Sequence, residues 1–205
     1  MSETAHPHSA AEASMRCSQA MLRQAMGQWQ AMGHPDLWLF AYGSLIWKTE
    51  FPVIERRLAT VHGYHRALKM WSRVNRGTPQ RPGLVFALLP GGSCQGIALR
   101  VPAADVPQML PRLWEREMPN PVYDPRWLRC RTPQGPVTAL AFTLSRRSPN
   151  FTGELPAQEL QHIFRHAQGR YGTTLDYARQ TLEQLRALGI RDRALERLLH
   201  HGRGL

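Results

Sequence analysis

The sequence predicts an α+β domain whose strands pair in antiparallel or mixed fashion rather than as a doubly wound sheet. Three observations carry this. Short aromatic and β-branched runs crowd the first half, one amphipathic helix interrupts them, and the last third is helical. At 205 residues the chain can bury one sizeable core, and nothing demands a second.

The elements follow in order. Residues 1–15 read as a polar, disordered leader, and 15–32 are rich in the helix formers Ala, Met, Gln and Leu until Gly33-His34-Pro35 stops them. The leader, 1–35, is thereby set apart from a domain over 36–205. Strands are expected at 37–42, 58–71, 84–89 and 95–101, the last two joined as a hairpin through Pro90-Gly91-Gly92-Ser93. A helix over 105–118 precedes strands at 126–132 and 137–144. Helices at 156–168, 173–188 and 192–201 complete the chain, with Gly189 and Gly202 placed as stops.

Composition narrows the function classes. Apolar residues at 42% and charged residues at 20% suit a globular rather than a disordered chain. No apolar run approaches a membrane span, and the N-terminus lacks the basic-then-apolar order of a signal peptide, so a cytoplasmic location is expected. The three cysteines, Cys17, Cys94 and Cys130, are odd in number and have no metal-ligand or redox spacing. They read as reduced and structural. A net charge of +11 attracts anions from small carboxylates to nucleic acid and does not choose among them.

Two local features point to chemistry. In PAADVPQMLPRLWEREM, spacing of about 100° per residue gathers Val106, Met109, Leu110, Leu113 and Trp114 into one stripe. Glu117 falls in its middle and Glu115 opposite, with Pro111 able to bend the register. A carboxylate on a buried face is either ion-paired with one of the many arginines or serves as an acid or base. The second feature is FAYGSLIW, residues 40–47, where an apolar strand stops at Gly43-Ser44 and a Gly lets backbone approach a bound group.

Other candidates are weaker. His162 and His166 stand at i, i+4, but Ile163 occupies the place of a metalloprotease Glu. Ser44 lacks a nucleophile-elbow frame, and Cys94 beside a turn reads as a packed thiol. The basic segment 56–81, with Tyr64 and Trp71 interleaved, suits nucleic acid or simply an exposed strand.

FAYGSLIW, GYHRALKMWS, RGTPQRPGLVFAL, LWEREM and GTTLDYARQTL occur in an order that resembles the ChaC-type γ-glutamylcyclotransferases, over most of the chain. The resemblance implies a small barrel of mixed strands flanked by helices. It implies Glu117 as the catalytic acid/base and a substrate cradle at Phe40, Ala41, Tyr42, Gly43, Ser44 and Leu45, with Ala41 standing where the family usually has Gly. Arg76 lies in a matching block, and Tyr177, off the Leu175, Ala178, Leu182 and Leu185 stripe, is placed to face the site. The implied reaction is cyclisation of the γ-glutamyl group of glutathione to 5-oxoproline with release of Cys-Gly, needing no metal or cofactor. Alternatives are a cyclotransferase for another γ-glutamyl amine or peptide, or a non-enzymatic anion or nucleic-acid binder. The substrate is expected to be a small molecule, with nucleic acid and membrane disfavoured.

Overall fold

The structure, a computed structural model, describes residues 7–202, with side chains from residue 17 onward. Strands β1 (Leu37–Ala41), β2 (Glu55–Ser72), β3 (Gly83–Val101), β4 (Asp124–Arg131) and β5 (Val137–Thr143) close into a barrel in the order β1-β3-β2-β4-β5. Neighbours along that order are antiparallel, and the closing contact of β5 with β1 is parallel, Trp38 opposite Ala139 and Leu39 opposite Leu140. Closure leaves no open edge, which a mixed sheet of this size would otherwise expose. Leu37, Leu39, Phe40, Leu84, Leu88, Leu99 and Leu140 are fully buried. The expected α+β class and mixed barrel are both found.

The strand reading departs from the structure at a short two-stranded ladder, Gln168–Gly169 with Gly172–Thr173, which it did not expect, and within the barrel at one connection. Residues 84–89 and 95–101 do not pair as a hairpin; they are two halves of β3, and both pair with β2. Tyr64 stands opposite Pro90 and His62 opposite Ser93, so Gly91 and Gly92 together face Gly63. This is a β-bulge. Gly63, Gly91 and Gly92 have φ of 84°, 103° and 73°, so both strands bend at the same level, and Pro90 lies where the ladder is broken. The hairpin connection is instead 73–82.

Five helices flank the barrel: α1 (Pro7–Ala31), α2 (Val106–Glu117), α3 (Ala157–His166), α4 (Thr174–Ala187) and α5 (Arg193–Leu199). Helix α1 begins at Pro7, earlier than the expected 15, because proline suits a first turn whose N–H groups have no intrahelical partner, and alanines follow. Residues 1–6 lie outside the described residues. The same rule places Pro107 in the first turn of α2. Pro111 removes the N–H that would reach the Pro107 carbonyl, yet the helix runs on to Glu117, held by buried Met109, Leu110, Leu113 and Trp114. The expected stripe is thus the packed one. Helix α4 starts on Thr173, whose side chain accepts from the Asp176 amide, and α5 on Asp192, which accepts from Leu195.

Candidate active site

At the end of β1 the chain turns through Gly43 into one 3-10 turn, Ser44–Ile46. The Ile46 amide donates to the Gly43 carbonyl at 2.9 Å and the Lys48 amide to the Ser44 carbonyl at 2.8 Å. Glycine is required by what lies opposite: a Cβ at position 43 would stand 2.9 Å from the Tyr177 hydroxyl. From below, the Arg66 guanidinium donates to the Tyr42 carbonyl at 2.9 Å and to Gln95 at 3.1 Å while pairing with Asp192 at 2.8 Å. The Arg66 side chain is only 4% exposed, so the turn rests on a buried ion pair.

Glu117 is the last residue of α2 and keeps 18% of its side-chain surface, whereas Glu115 is exposed. Burial pushes its carboxyl above the ordinary range; Arg116 and Lys48 pull it back, and Glu50 pushes it further up. Arg116 Nε lies 3.2 Å from Glu117 Oε1. The same guanidinium donates to the Lys48 carbonyl at 2.8 Å and reaches Ser44 Oγ at 3.4 Å. One arginine therefore ties the carboxylate to the turn. On its outer side a cleft of ≈ 320 Å³ runs along α2, lined by Glu50, Phe51, Gln108 and Met109 among others.

Three buried tyrosines complete the group. Burial raises the hydroxyl pKa of Tyr42, Tyr123 and Tyr177, and the Glu117 charge raises each further, which places all four in one electrostatic neighbourhood. Tyr42 donates to the Phe142 carbonyl at 2.7 Å, and its hydroxyl holds the Tyr123 pKa back a little. Tyr177 is raised to about 12 by burial and the Glu117 charge, with the nearby Phe86 and Ser44 backbone and the Arg76 charge holding it back. Its ring packs 5.3 Å from Phe86 and 6.1 Å from Trp47, with the Arg76 guanidinium 4.8 Å above it.

The structure therefore brings Tyr42, Gly43, Ser44, Glu117, Tyr177 and Arg76 together. Leu45 is buried in the turn, while Phe40 and Ala41 lie in the core beneath it. Among the described residues His34 is the one non-glycine with positive φ, so the Ala41 methyl carries no left-handed strain. Tyr177 fits a second buried face of α4, Thr174, Tyr177 and Thr181, beside the aliphatic stripe. Arg116, Tyr123 and Lys48 escaped the sequence reading, and Arg66 entered it only as one cation of the basic segment. Tyr123 lies between prolines with no periodic signal, and a lone Lys or Arg carries no local mark of its partners.

The remaining candidates sit elsewhere. Cys94 is buried beside Arg66, its thiol pushed up to about 11 by burial. His162 and His166 lie on the exposed side of α3, ring centroids 4.6 Å apart. Among the described residues no group of three or more His, Cys, Asp or Glu could hold a metal, and no helix is long and apolar enough to cross a membrane. Cations of the basic segment are engaged within the protein, Arg57 with Glu55 at 2.6 Å, Arg66 with Asp192 and Lys69 with Glu154.

The closed mixed barrel with its flanking helices has the γ-glutamylcyclotransferase fold of solved structures. Residues 37–204 match the family described as ChaC-like protein, and the chain belongs to that family. A glutathione-specific gamma-glutamylcyclotransferase of Escherichia coli K12 is 34% identical over 164 residues, covering 80% of this chain and 71% of that protein. The rat glutathione-specific gamma-glutamylcyclotransferase 1 is 30% identical over 174 residues, 82% of this chain and 78% of its own. The crystal structure of a yeast glutathione-specific cyclotransferase superposes with a TM-score of 0.74 at 19% identity, covering 82% and 95% of the two chains, and shares the fold. Helix α1 lies outside the matched residues.

Proposed function

We propose that the protein cyclises the γ-glutamyl group of glutathione, releasing 5-oxoproline and Cys-Gly. The observation that carries this is the largely buried carboxylate of Glu117, raised in pKa and tied through Arg116 to the turn after Gly43. The α-amine of the glutamyl unit attacks its own side-chain carbonyl carbon, a C–N bond closes the five-membered ring, and the bond to the cysteinyl nitrogen breaks. No water enters the balance. Holding the chain curled supplies much of the rate, because an aligned intramolecular attack has a very high effective molarity. Glu117 takes a proton from the substrate ammonium and delivers it to the departing nitrogen, and a carboxyl raised toward working pH suits both transfers. The Tyr177 hydroxyl, which burial keeps protonated, can donate to the oxyanion or to the substrate carboxylate.

The rim supports an anionic peptide substrate. Lys48 and Arg170 lie 4.3 and 5.4 Å from the exposed Tyr171 ring, and Arg76 donates to the Tyr171 carbonyl. These cations flank the way to Tyr177 and favour a substrate with a second carboxylate. Free cysteines, with Cys17 exposed and Cys94 and Cys130 unpaired in the core, suit a reducing compartment, the cytoplasm. The test is 5-oxoproline release from glutathione and from other γ-glutamyl peptides with EDTA over a salt series, beside a nucleic-acid titration. Turnover should survive EDTA and fall moderately with salt. Absence of 5-oxoproline from any γ-glutamyl compound, together with steeply salt-dependent nucleic-acid binding, would falsify the enzyme reading.

A further inference from the structure

Helix α1 meets α2 at its last turn, and one residue makes the contact in both directions. The Ser18 hydroxyl donates to the Met118 carbonyl at 2.5 Å, and the Trp114 indole N–H donates to the Ser18 carbonyl at 3.0 Å. Ser18, Trp114 and Met118 are 4%, 3% and 1% exposed, so water does not compete for these bonds. Met118 is the C-cap of α2, and its amide reaches the Trp114 carbonyl at 2.7 Å. The final carbonyls of a helix have no intrahelical donors. Ser18 supplies one at the residue next to Glu117. Farther along, Ala25 and Trp29 are buried and Gln28 accepts from the Trp127 indole at 2.8 Å, so α1 is seated on the barrel rather than loosely attached.

We propose that α1, which lies outside the family match, is a positioning element of the active site: Ser18 clamps the C-terminal turn of α2 and so fixes where Glu117 points. The inference rests on the reading of Glu117 as acid/base given above. Loosening the clamp lets the carboxylate move relative to the turn and gain water. The groups facing Glu117 are Arg116 on its own helix, Lys48 and Glu50 after the 3-10 turn, and Tyr42, Tyr123 and Tyr177 from the barrel and α4. None of them is altered by a change at Ser18.

The test uses the full chain with Ser18→Ala and, as a second variant, Trp114→Phe, which removes the reciprocal bond. Two quantities are read: kcat and KM for 5-oxoproline release, and the titration of the Glu117 carboxyl by 13C NMR, its resonance assigned with Glu117→Gln. Ser18→Ala should lower kcat about tenfold with KM within about twofold, since a displacement of 1 Å can cost ~100-fold in rate. The Glu117 titration should move down toward the ordinary carboxylate range, and Trp114→Phe should shift both in the same direction. If Ser18→Ala does not fold, Trp114→Phe decides by the same criteria. Unchanged kcat and unchanged Glu117 titration in the folded variants overturn the clamp. Wild-type protein without turnover overturns the cyclotransferase reading instead, and the titration then decides the clamp alone.

Discussion

Replacing Glu117 by Gln separates proton transfer from shape. The amide keeps the shape of the carboxylate beside Arg116, whose Nε is 3.2 Å from Oε1, and Arg116 keeps its bond to the Lys48 carbonyl, so the turn stays in place. What is lost is a group able to take and return a proton. General acid–base catalysis contributes about 10²–10⁴-fold, which is ~2.7–5.4 kcal/mol of barrier. Turnover should therefore fall by that factor with KM changed a few-fold at most. Stability should move the other way. The folded carboxyl pKa is raised above its unfolded value, so its contribution is full below the ordinary carboxylate pKa and lost as pH rises through the folded value. Glu117→Gln should melt higher than wild type near neutrality and level with it in acid. The assays are 5-oxoproline release and thermal melts from pH 4 to 8, with the exposed Glu115→Gln as control. Equal activity loss in both variants, or a melt that falls at neutral pH, would refute the reasoning.

Gly43→Val should lower kcat/KM by displacing the Tyr177 hydroxyl, which a Cβ would approach to 2.9 Å, while Ser44→Ala loses only a 3.4 Å contact with Arg116 and should keep most activity. A trapped acyl-serine would contradict this. Asp192→Asn leaves the 4%-exposed Arg66 with its charge partner removed, and denaturant unfolding should show a loss of about 3–5 kcal/mol; a change under 1 kcal/mol would mean water replaces the partner. Arg116→Lys keeps the charge but cannot hold Glu117, Lys48 and Ser44 at once, so kcat should drop while the melting temperature changes little. Full activity would remove Arg116 from the site.

Elements whose packing repeats along the chain were legible in the sequence. The stripe of α2 and its interruption by Glu117 follow from helical spacing, and the break at Gly43 from a strand that ends where no side chain fits. Residues whose role depends on remote chain were not legible. Gly63 faces Gly91 and Gly92 only because β2 and β3 pair along their whole length, and the local pattern of Pro90-Gly91-Gly92-Ser93 is that of a turn. Arg66 reads as one more cation on an exposed strand until Asp192, 126 residues on, is brought to it. Tyr177 was placed through its departure from the aliphatic stripe, which marks a second face without saying what it meets.

The electrostatics of Glu117 follow from its place on the helix. A carboxylate at a C-terminus faces the negative end of the helix dipole and the unpaired carbonyls of the last turn, so position and burial both disfavour the ionised form. A fully unpaired buried charge would be too costly, and Arg116 and Lys48 restrain the shift. Arg116 cannot neutralise the carboxylate completely, because its other donors are committed to the Lys48 carbonyl and Ser44. The ion pair suggested by the helical pattern is present, and in the proposed reaction the same carboxylate serves as the acid/base that the family resemblance implies. In that proposal the arginine that stabilises the charge also ties it to the turn, and the burial that raises its pKa favours accepting a proton.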